Sequence, residues 1–136
     1  MESKKVLSDD IAIQEIKTFL SDYLDAEFDV KKDYPKVLDA VVTGRLILSD
    51  DGPIYNLIKP INESSDEFKV SELKFKTRIL PNTMASLAKG IDLKNDAVKY
   101  SLVCISHIIG MASVMELDKF SKKDYGLIQE LSTVFM

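Results

Sequence analysis

Several residue types that define common protein classes are scarce in this chain of 136 residues. A single cysteine, Cys104, cannot form an internal disulfide, and a single histidine, His107, cannot supply the usual ligands of a structural zinc site. The five glycines stand singly, so no glycine-rich phosphate loop is present. These absences argue against a disulfide scaffold, a zinc domain and a nucleotide-binding site, and no cofactor is expected.

Excess positive charge and long apolar runs are absent too. Eighteen Lys and Arg side chains stand against 22 Asp and Glu, a net charge of −4 that repels phosphate backbones and anionic lipid. The longest apolar stretch, residues 102–115, is shorter than the roughly 20 residues that span a bilayer, and the charged first residues do not resemble a signal peptide. The sequence predicts a cytoplasmic protein that binds neither nucleic acid nor membrane.

The composition is that of one folded domain, with 46 % apolar and 29 % charged residues. Residues 1–40 hold ten acidic and six basic side chains, whereas residues 41–136 hold twelve of each. We therefore predict an acidic N-terminal helical segment, residues 1–44, and an α+β body, residues 45–136. A merely solvated helix face would explain the same charge asymmetry.

Apolar residues at three- and four-residue steps predict two helices in the N-terminal segment. The first covers residues 10–25, with Ser8, Asp9 and Asp10 as N-cap candidates. The second begins at Asp33-Tyr34-Pro35, with proline in the first turn, and ends at Gly44.

A β-hairpin is predicted next, because residues 45–48 and 54–58 are rich in branched and aromatic side chains and flank the turn-forming residues 49–53. Pro60 is expected to end the second strand. A third strand alternates, with Leu73, Phe75 and Ile79 on its buried face.

Phe68 and Val70 fall on the opposite parity to the buried face of that strand. A one-residue bulge near Ser71-Glu72 would return them to the core, and the alternative is that they cover a different surface.

Three helices are predicted after the third strand. Asn82-Thr83 can cap a short helix that stops at Gly90, and Asn95-Asp96 a longer, nearly all-apolar central helix with Val98 on its buried side, running to about Ala112. Ser121 to Asp124 resembles a capping box before the last helix. The expected fold is α+β, a small antiparallel sheet of about three strands packed against a C-terminal helical part.

Reactive residue types give little sign of catalysis. Cys104 and His107 are three apart on one helix and could meet as nucleophile and base, but no orienting group lies near them in sequence, which favours a buried thiol and a satisfied imidazole. Asp50-Asp51-Gly52 reads as a turn because no calcium-binding loop follows it. An enzyme would need distant groups such as Asp50, Glu72, Tyr100 or His107 to converge, which their spacing does not predict. We therefore expect a protein that is not an enzyme.

The third strand is locally basic, with Lys69, Lys74, Lys76 and Arg78 against Glu72. It could receive an acidic partner or the chain's own acidic N-terminal helix. A solvated strand face that discourages edge pairing is the alternative interpretation.

A pattern that extends over many residues is more informative than these single features. A strand ends in Lys59-Pro60-Ile61, and a second strand reads Val70-Ser-Glu-Leu73-Lys-Phe75-Lys-Thr77-Arg78. Leu80-Pro81-Asn82-Thr83 opens a helical part, Ile105-Ser-His-Ile-Ile-Gly110 ends an apolar helix, and Leu117-Asp118 precedes the last one. Over residues 54–136 the chain resembles the tail assembly chaperones of tailed bacteriophages.

This resemblance implies a non-enzymatic role. Such chaperones bind the long, largely helical tape measure protein, keep it soluble, and are displaced as the tail tube protein, a further partner, polymerises around it. They act in the host cell cytoplasm and are absent from the finished particle.

A chaperone of this kind needs exposed apolar surface that matches an amphipathic helix. We expect the helical half to supply it, with Met84, Leu87, Met111 and Met115 as the partner-binding candidates. Flexible methionines suit an adaptable surface, although core packing is their commoner use. The alternative function is a cytoplasmic adaptor module that binds partners through its acidic N-terminal helix.

Overall fold

A computed structural model describes residues 7–62, 69–111 and 113–136, and within them the fold is the expected small α+β fold with an N-terminal helix. Its elements are α1 (Asp9–Leu20), α2 (Val30–Asp33), α3 (Pro35–Val42), β1 (Leu46–Ser49), β2 (Gly52–Asn62), β3 (Lys69–Lys74), α4 (Pro81–Ala88), α5 (Ala97–Ile108) and α6 (Lys122–Ser132), with 3₁₀ helices at Val114–Lys119 and Thr133–Phe135. Phe68 and Ala112 of the sequence predictions lie outside the described residues.

The N-terminal helices start where their caps predict. Ser8 is the N-cap of α1 and its side chain accepts the backbone N–H of Ile11, while α3 begins with Pro35 in its first turn. The α1 helix ends at Leu20 rather than near residue 25, because the Ser21 hydroxyl and N–H both bond to the Lys17 carbonyl and close its last turn. The short α2 was not predicted.

The three strands form one antiparallel sheet in the order β1-β2-β3. Ser49 pairs with Gly52, so Asp50 and Asp51 form the two-residue turn of the predicted hairpin. Gly52 has a φ of +118°, and a Cβ placed there would lie 2.7 Å from the carbonyl oxygen of Phe75. Only glycine fits this turn without strain.

The pairing of β2 with β3 is interrupted, but not as the sequence predicted. Asn56 pairs with Glu72 and Ile61 pairs with Val70, so four residues of β2 face the single residue Ser71. The extra residues therefore belong to β2 and number three, whereas a one-residue bulge near Ser71-Glu72 was expected. The shift is an odd number, so it brings the half-buried Val70 beside the buried Ile61.

Two strand boundaries differ from prediction. The β2 strand continues past Pro60 to Asn62, because Pro60 lies within the interrupted pairing, where no ladder hydrogen bond is required of it. The β3 strand ends at Lys74, and the chain then leaves the sheet, so that the Lys76 N–H bonds to the Ile108 carbonyl at the end of α5. Phe75 and Ile79 are nevertheless buried as predicted.

A single hydrophobic core holds these elements together. It combines residues of α1 and α3 with the inner face of the sheet, the second half of α5 and the inner face of α6. Ile128 and Leu131 of α6 and Phe135 just after it are all buried in this core. Phe19 and Tyr23 also contact the ring of Phe135, which joins the end of α1 to the end of the chain.

The helices α4 and α5 depart most from the sequence prediction. The α4 helix begins at Pro81 with Leu80 as its N-cap, so Asn82-Thr83 lies in the first turn and does not cap it. The α5 helix does begin after Asp96, but the side chain of that residue makes no cap hydrogen bond. Val98 is 74 % exposed, and the buried residues of α5 lie only in its second half. The predicted central helix is thus half surface.

Candidate functional site

The four predicted partner-binding residues lie on consecutive parts of the helical half. Met84 and Leu87 are on α4, Met111 follows α5, and Met115 lies in the 114–119 helix. Met115 is 77 % exposed and Met84 36 %, whereas Leu87 and Met111 are half-buried against the core. Two of the four are therefore open to a partner and two contribute to packing.

Helix α4 carries an apolar stripe that is largely exposed. Leu80, Met84 and Leu87 follow each other at four- and three-residue steps, which places them on one face. Leu80 is 56 % exposed, and none of the eight residues of α4 is buried. Large exposed apolar side chains at adjoining positions are typical of interaction sites. We call Leu80, Met84 and Leu87 the α4 stripe.

A small apolar concavity of about 390 Å³ lies between α5, the 114–119 helix and α6. Leu102, Val114 and Tyr125 are its half-buried walls, and Leu117 and Phe120 are its buried floor. It adjoins the exposed Met115 in sequence. Its size suits one or two apolar side chains of a partner.

A groove of about 870 Å³, which we call the α1 groove, lies between α1 and β1, on the opposite edge of the sheet from β3. Its apolar lining includes Phe19, Leu46 and Leu48, and the half-exposed Ile11 and Ile47 stand at its sides. The sequence pointed to α1 only as an acidic helix and gave no indication of a groove beside it.

The walls of this groove carry one sign of charge. Glu15 and Asp22 on the α1 side and Asp50 at the hairpin turn line it, and none of the described residues that line it is basic. The basic side chains Lys69 and Lys74 lie on β3, at the far edge of the sheet. Because α1 packs on α3 and β1, the structure places the acidic helix away from the basic strand that could have received it.

Cys104 and His107 both lie on α5, where the Cys104 thiol is buried and the His107 ring is half-buried. Burial raises the pKa of the Cys104 thiol, and its hydrogen bond with Tyr100 only partly opposes that shift. Burial and the nearby Lys76 ammonium lower the pKa of His107. A buried neutral thiol is unreactive.

The other groups that an enzyme would have to bring together lie on different elements. Asp50 is in the hairpin turn, Glu72 is exposed on β3, and Tyr100 and His107 are on α5. Of these, only Asp50 lines one of the concavities described here. Within residues 7–62, 69–111 and 113–136, no three His, Cys, Asp or Glu side chains are grouped so that they could hold a metal ion.

The most elaborate polar cluster in the core was not predicted. Asp124 is fully buried, and its carboxylate accepts the Tyr55 hydroxyl at 2.6 Å and the backbone N–H groups of Ile58 and Lys59 at 2.9 and 3.0 Å. Ile58 and Lys59 are extra residues of the interrupted strand. We call this cluster the Asp124 junction.

The sequence predicts the capping part of this junction but not the contacts of the Asp124 carboxylate. Ser121 is the N-cap of α6 and accepts the Asp124 N–H, as the predicted capping box requires. The Asp124 carboxylate binds β2 instead of closing the box. Because Tyr55 is buried and its hydroxyl donates to Asp124, the pKa of Tyr55 is raised far above its ordinary value. The junction is a structural fastening between β2 and α6.

A second acidic side chain of α6 caps another helix. Glu130 accepts the Val37 N–H at 2.7 Å, in the first turn of α3, whose own N-cap residue Tyr34 makes no side-chain bond. Desolvation raises the pKa of Glu130, and the hydrogen bonds with Val37 and Lys36 and the charge of Lys36 partly oppose that shift. The contact ties α6 to the N-terminal helices.

No protein-family model, curated protein or solved structure matches this chain. Among the described residues, none of the helices is both long and apolar enough to cross a membrane.

Proposed function

We propose that this protein is a phage tail assembly chaperone that binds the tape measure protein and keeps it soluble while the tail tube forms, without catalysing a reaction. The proposal rests on the sequence resemblance over residues 54–136, a stretch that includes most of β2, then β3 and the three C-terminal helices. Its action belongs to the host cell cytoplasm, and the tail tube protein is the partner that displaces it.

The exposed apolar surface of the helical half is the observation that carries the proposal. The α4 stripe, Val98 and Met115 expose apolar side chains on a chain that otherwise buries most of its large ones. Apolar surface of this kind is what a client helix needs if its own apolar face is to be shielded from water.

A binding mode follows from the geometry of that half. An amphipathic client helix would place its apolar face along the α4 stripe. A separate client side chain would enter the concavity between α5 and α6, whose walls include Leu102 and Tyr125. Each contact is small, so many copies of the chaperone along one long client would supply the affinity through avidity.

The test is co-expression with a candidate tape measure protein, followed by affinity purification. We expect the wild-type chain to hold the client in a soluble complex of fixed stoichiometry. The double variant Leu80→Ser with Met84→Ser removes two exposed side chains from the α4 stripe and should lose most of the soluble client. Its thermal midpoint should stay within a few degrees of wild type, because neither side chain is buried.

A control variant removes two exposed apolar side chains elsewhere. Ile11→Ser with Ile47→Ser changes the sides of the α1 groove, where each residue is 53 % exposed, and should leave client solubility unchanged. If the wild-type chain is folded and monodisperse but holds no client, the chaperone proposal is wrong. If the control variant loses the client and the α4 variant keeps it, the proposed binding surface is wrong.

A further inference from the structure

We infer that the groove between α1 and β1 binds an extended segment of a partner protein in which apolar and basic residues alternate, and that this segment pairs with β1 as a fourth strand. The inference does not depend on the proposed chaperone function, because the groove and the α4 stripe share no residue. It rests on three properties of the groove, namely an open strand edge, an apolar lining and acidic walls.

The open edge belongs to β1. Asn56 donates its N–H to the Arg45 carbonyl, and Ser49 pairs with Gly52 across the turn, so the odd-numbered residues of β1 bond to β2. In an antiparallel ladder the residues between them turn their N–H and C=O groups outward. Leu46 is only 2 % exposed, so the partly exposed Leu48 is the residue that offers outward backbone groups on the edge that no strand of the described chain occupies.

The size of the groove suits an extended chain. The four residues of β1 span about 13 Å at roughly 3.3 Å per residue, which matches a partner segment of about four residues. A volume of about 870 Å³ holds that backbone with its side chains. The lining by Phe19, Leu46 and Leu48 receives alternate apolar side chains, as in other cases of strand addition.

Charge selects the partner. The carboxylates of Glu15, Asp22 and Asp50 stand in the groove without a basic residue among its described lining, so they attract Lys or Arg on the incoming segment. The other edge of the sheet carries Lys69 and Lys74 and repels the same segment. A basic strand is therefore directed to β1, and an acidic one is not.

The first measurement uses a fluorescent hexapeptide of alternating lysine and valine, with a glutamate and valine peptide of the same length as control. Fluorescence anisotropy at low salt should detect binding of the lysine peptide and at least about tenfold weaker binding of the glutamate peptide. Hydrogen exchange followed by NMR should show added protection of the Leu48 amide when the lysine peptide is bound. Binding without protection of the β1 amides would overturn strand addition.

Two sets of variants distinguish the contribution of the β1 backbone to peptide binding from that of the acidic side chains. Leu48→Pro removes the outward N–H, which the hairpin does not use, and should weaken peptide binding at least about tenfold relative to Leu48→Ala, which keeps that N–H. Glu15→Lys with Asp22→Lys should abolish binding, whereas Glu27→Lys with Asp25→Lys makes the same charge change outside the groove and should alter affinity less than about twofold. Equal effects of the two charge pairs would reduce the site to nonspecific attraction and overturn the inference.

Two other occupants are distinguishable. The sequence of residues 1–6 contains Lys4 and Lys5, so the variant Lys4→Glu with Lys5→Glu tests competition from the chain itself. We expect unchanged peptide affinity, and a large rise would assign the groove to the chain's own first residues. Self-association that the lysine peptide disperses would assign it to a second copy. Either result overturns the assignment to a partner protein.

Discussion

Helices α6 and α4 belong to the same C-terminal half and differ in almost every contact they make. Five of the eleven residues of α6 are buried, and its acidic side chains bond to the backbone of two other elements, Asp124 to β2 and Glu130 to α3. None of the eight residues of α4 is buried, and the helix packs chiefly along α5. One helix fastens the fold, and the other presents its apolar stripe to solvent.

This difference shows which helix has side chains that folding does not fix and that are therefore available for binding. A change in α6 disturbs the interrupted strand or the start of α3, so its residues are fixed by folding. Leu80 and Met84 are exposed, so replacing either should cost little stability and packing does not explain them. Apolar side chains that folding does not require need another reason, and binding supplies one.

The largest expected effect is at the Asp124 junction. Asp124→Ala removes the acceptor of the buried Tyr55 hydroxyl and of the partly buried N–H groups of Ile58 and Lys59, and should lower the free energy of unfolding by about 3–5 kcal/mol. Chemical denaturation measures it. Asp118→Ala, an exposed carboxylate on the neighbouring 114–119 helix, should change stability by less than about 0.5 kcal/mol.

Asp124→Asn tests how much of this stability comes from the hydrogen bonds that an amide can still accept. The amide oxygen can keep the bonds that Oδ1 accepts from Tyr55 and Ile58, while an NH₂ group faces the Lys59 N–H. We expect about 1–3 kcal/mol of destabilisation, less than for alanine. If alanine costs less than about 1 kcal/mol, the junction does not fasten α6, and the contrast with α4 fails.

Alanine substitutions at two glycines, one in the sheet and one after α4, should show the same contrast with smaller losses of stability. Gly52→Ala places a Cβ 2.7 Å from a fixed carbonyl oxygen at a positive φ and should cost about 2–3 kcal/mol. Gly90→Ala after α4 has a φ of +79° but no atom within 4 Å of the added Cβ, so only backbone strain of about 1 kcal/mol is expected. Thermal unfolding of both variants measures the difference, and equal midpoints would contradict it.

The smallest effect is the pH dependence of the Glu130 cap. Its folded-state pKa is raised by burial, so folding favours the protonated carboxyl, and the stability this gives is lost as the pH rises through the raised pKa. The stability of wild type minus that of Glu130→Gln should therefore fall, by under about 1 kcal/mol, between pH 4 and pH 7. A difference that stays constant or grows over this range would contradict the burial of this group.

Much of the fold could be predicted from local sequence patterns. Ser8 and Pro35 marked helix starts, Gly44 an end, and the residues 49–53 a hairpin turn, because these positions are decided by backbone chemistry within a few residues. The α+β class followed from the alternation of such segments. What failed were the features decided by distant residues. Val98 has the spacing of a buried face, but the buried residues of α5 lie only in its second half and Val98 is exposed.

The candidate sites were less predictable than the fold. Methionine placement pointed to the helical half, yet Leu80 entered the α4 stripe only once the helix was seen to begin at Pro81. The α1 groove depends on how α1 lies beside β1, which no local pattern encodes. The parity of Val70 did signal an irregular strand, but the location of the extra residues depended on Asp124, more than 50 residues later.

The Asp124 junction also constrains the order of folding. The β1–β2 hairpin closes through a two-residue turn and needs nothing from the rest of the chain. Ile58 and Lys59 of β2 instead bond to a carboxylate that lies 66 and 65 positions further along the chain. Closing so long a loop is slow. During synthesis the sheet is therefore expected to stay incomplete until α6 has left the ribosome. A chain interrupted before residue 124 would leave the N–H groups of Ile58 and Lys59 to bond with water instead of with the Asp124 carboxylate.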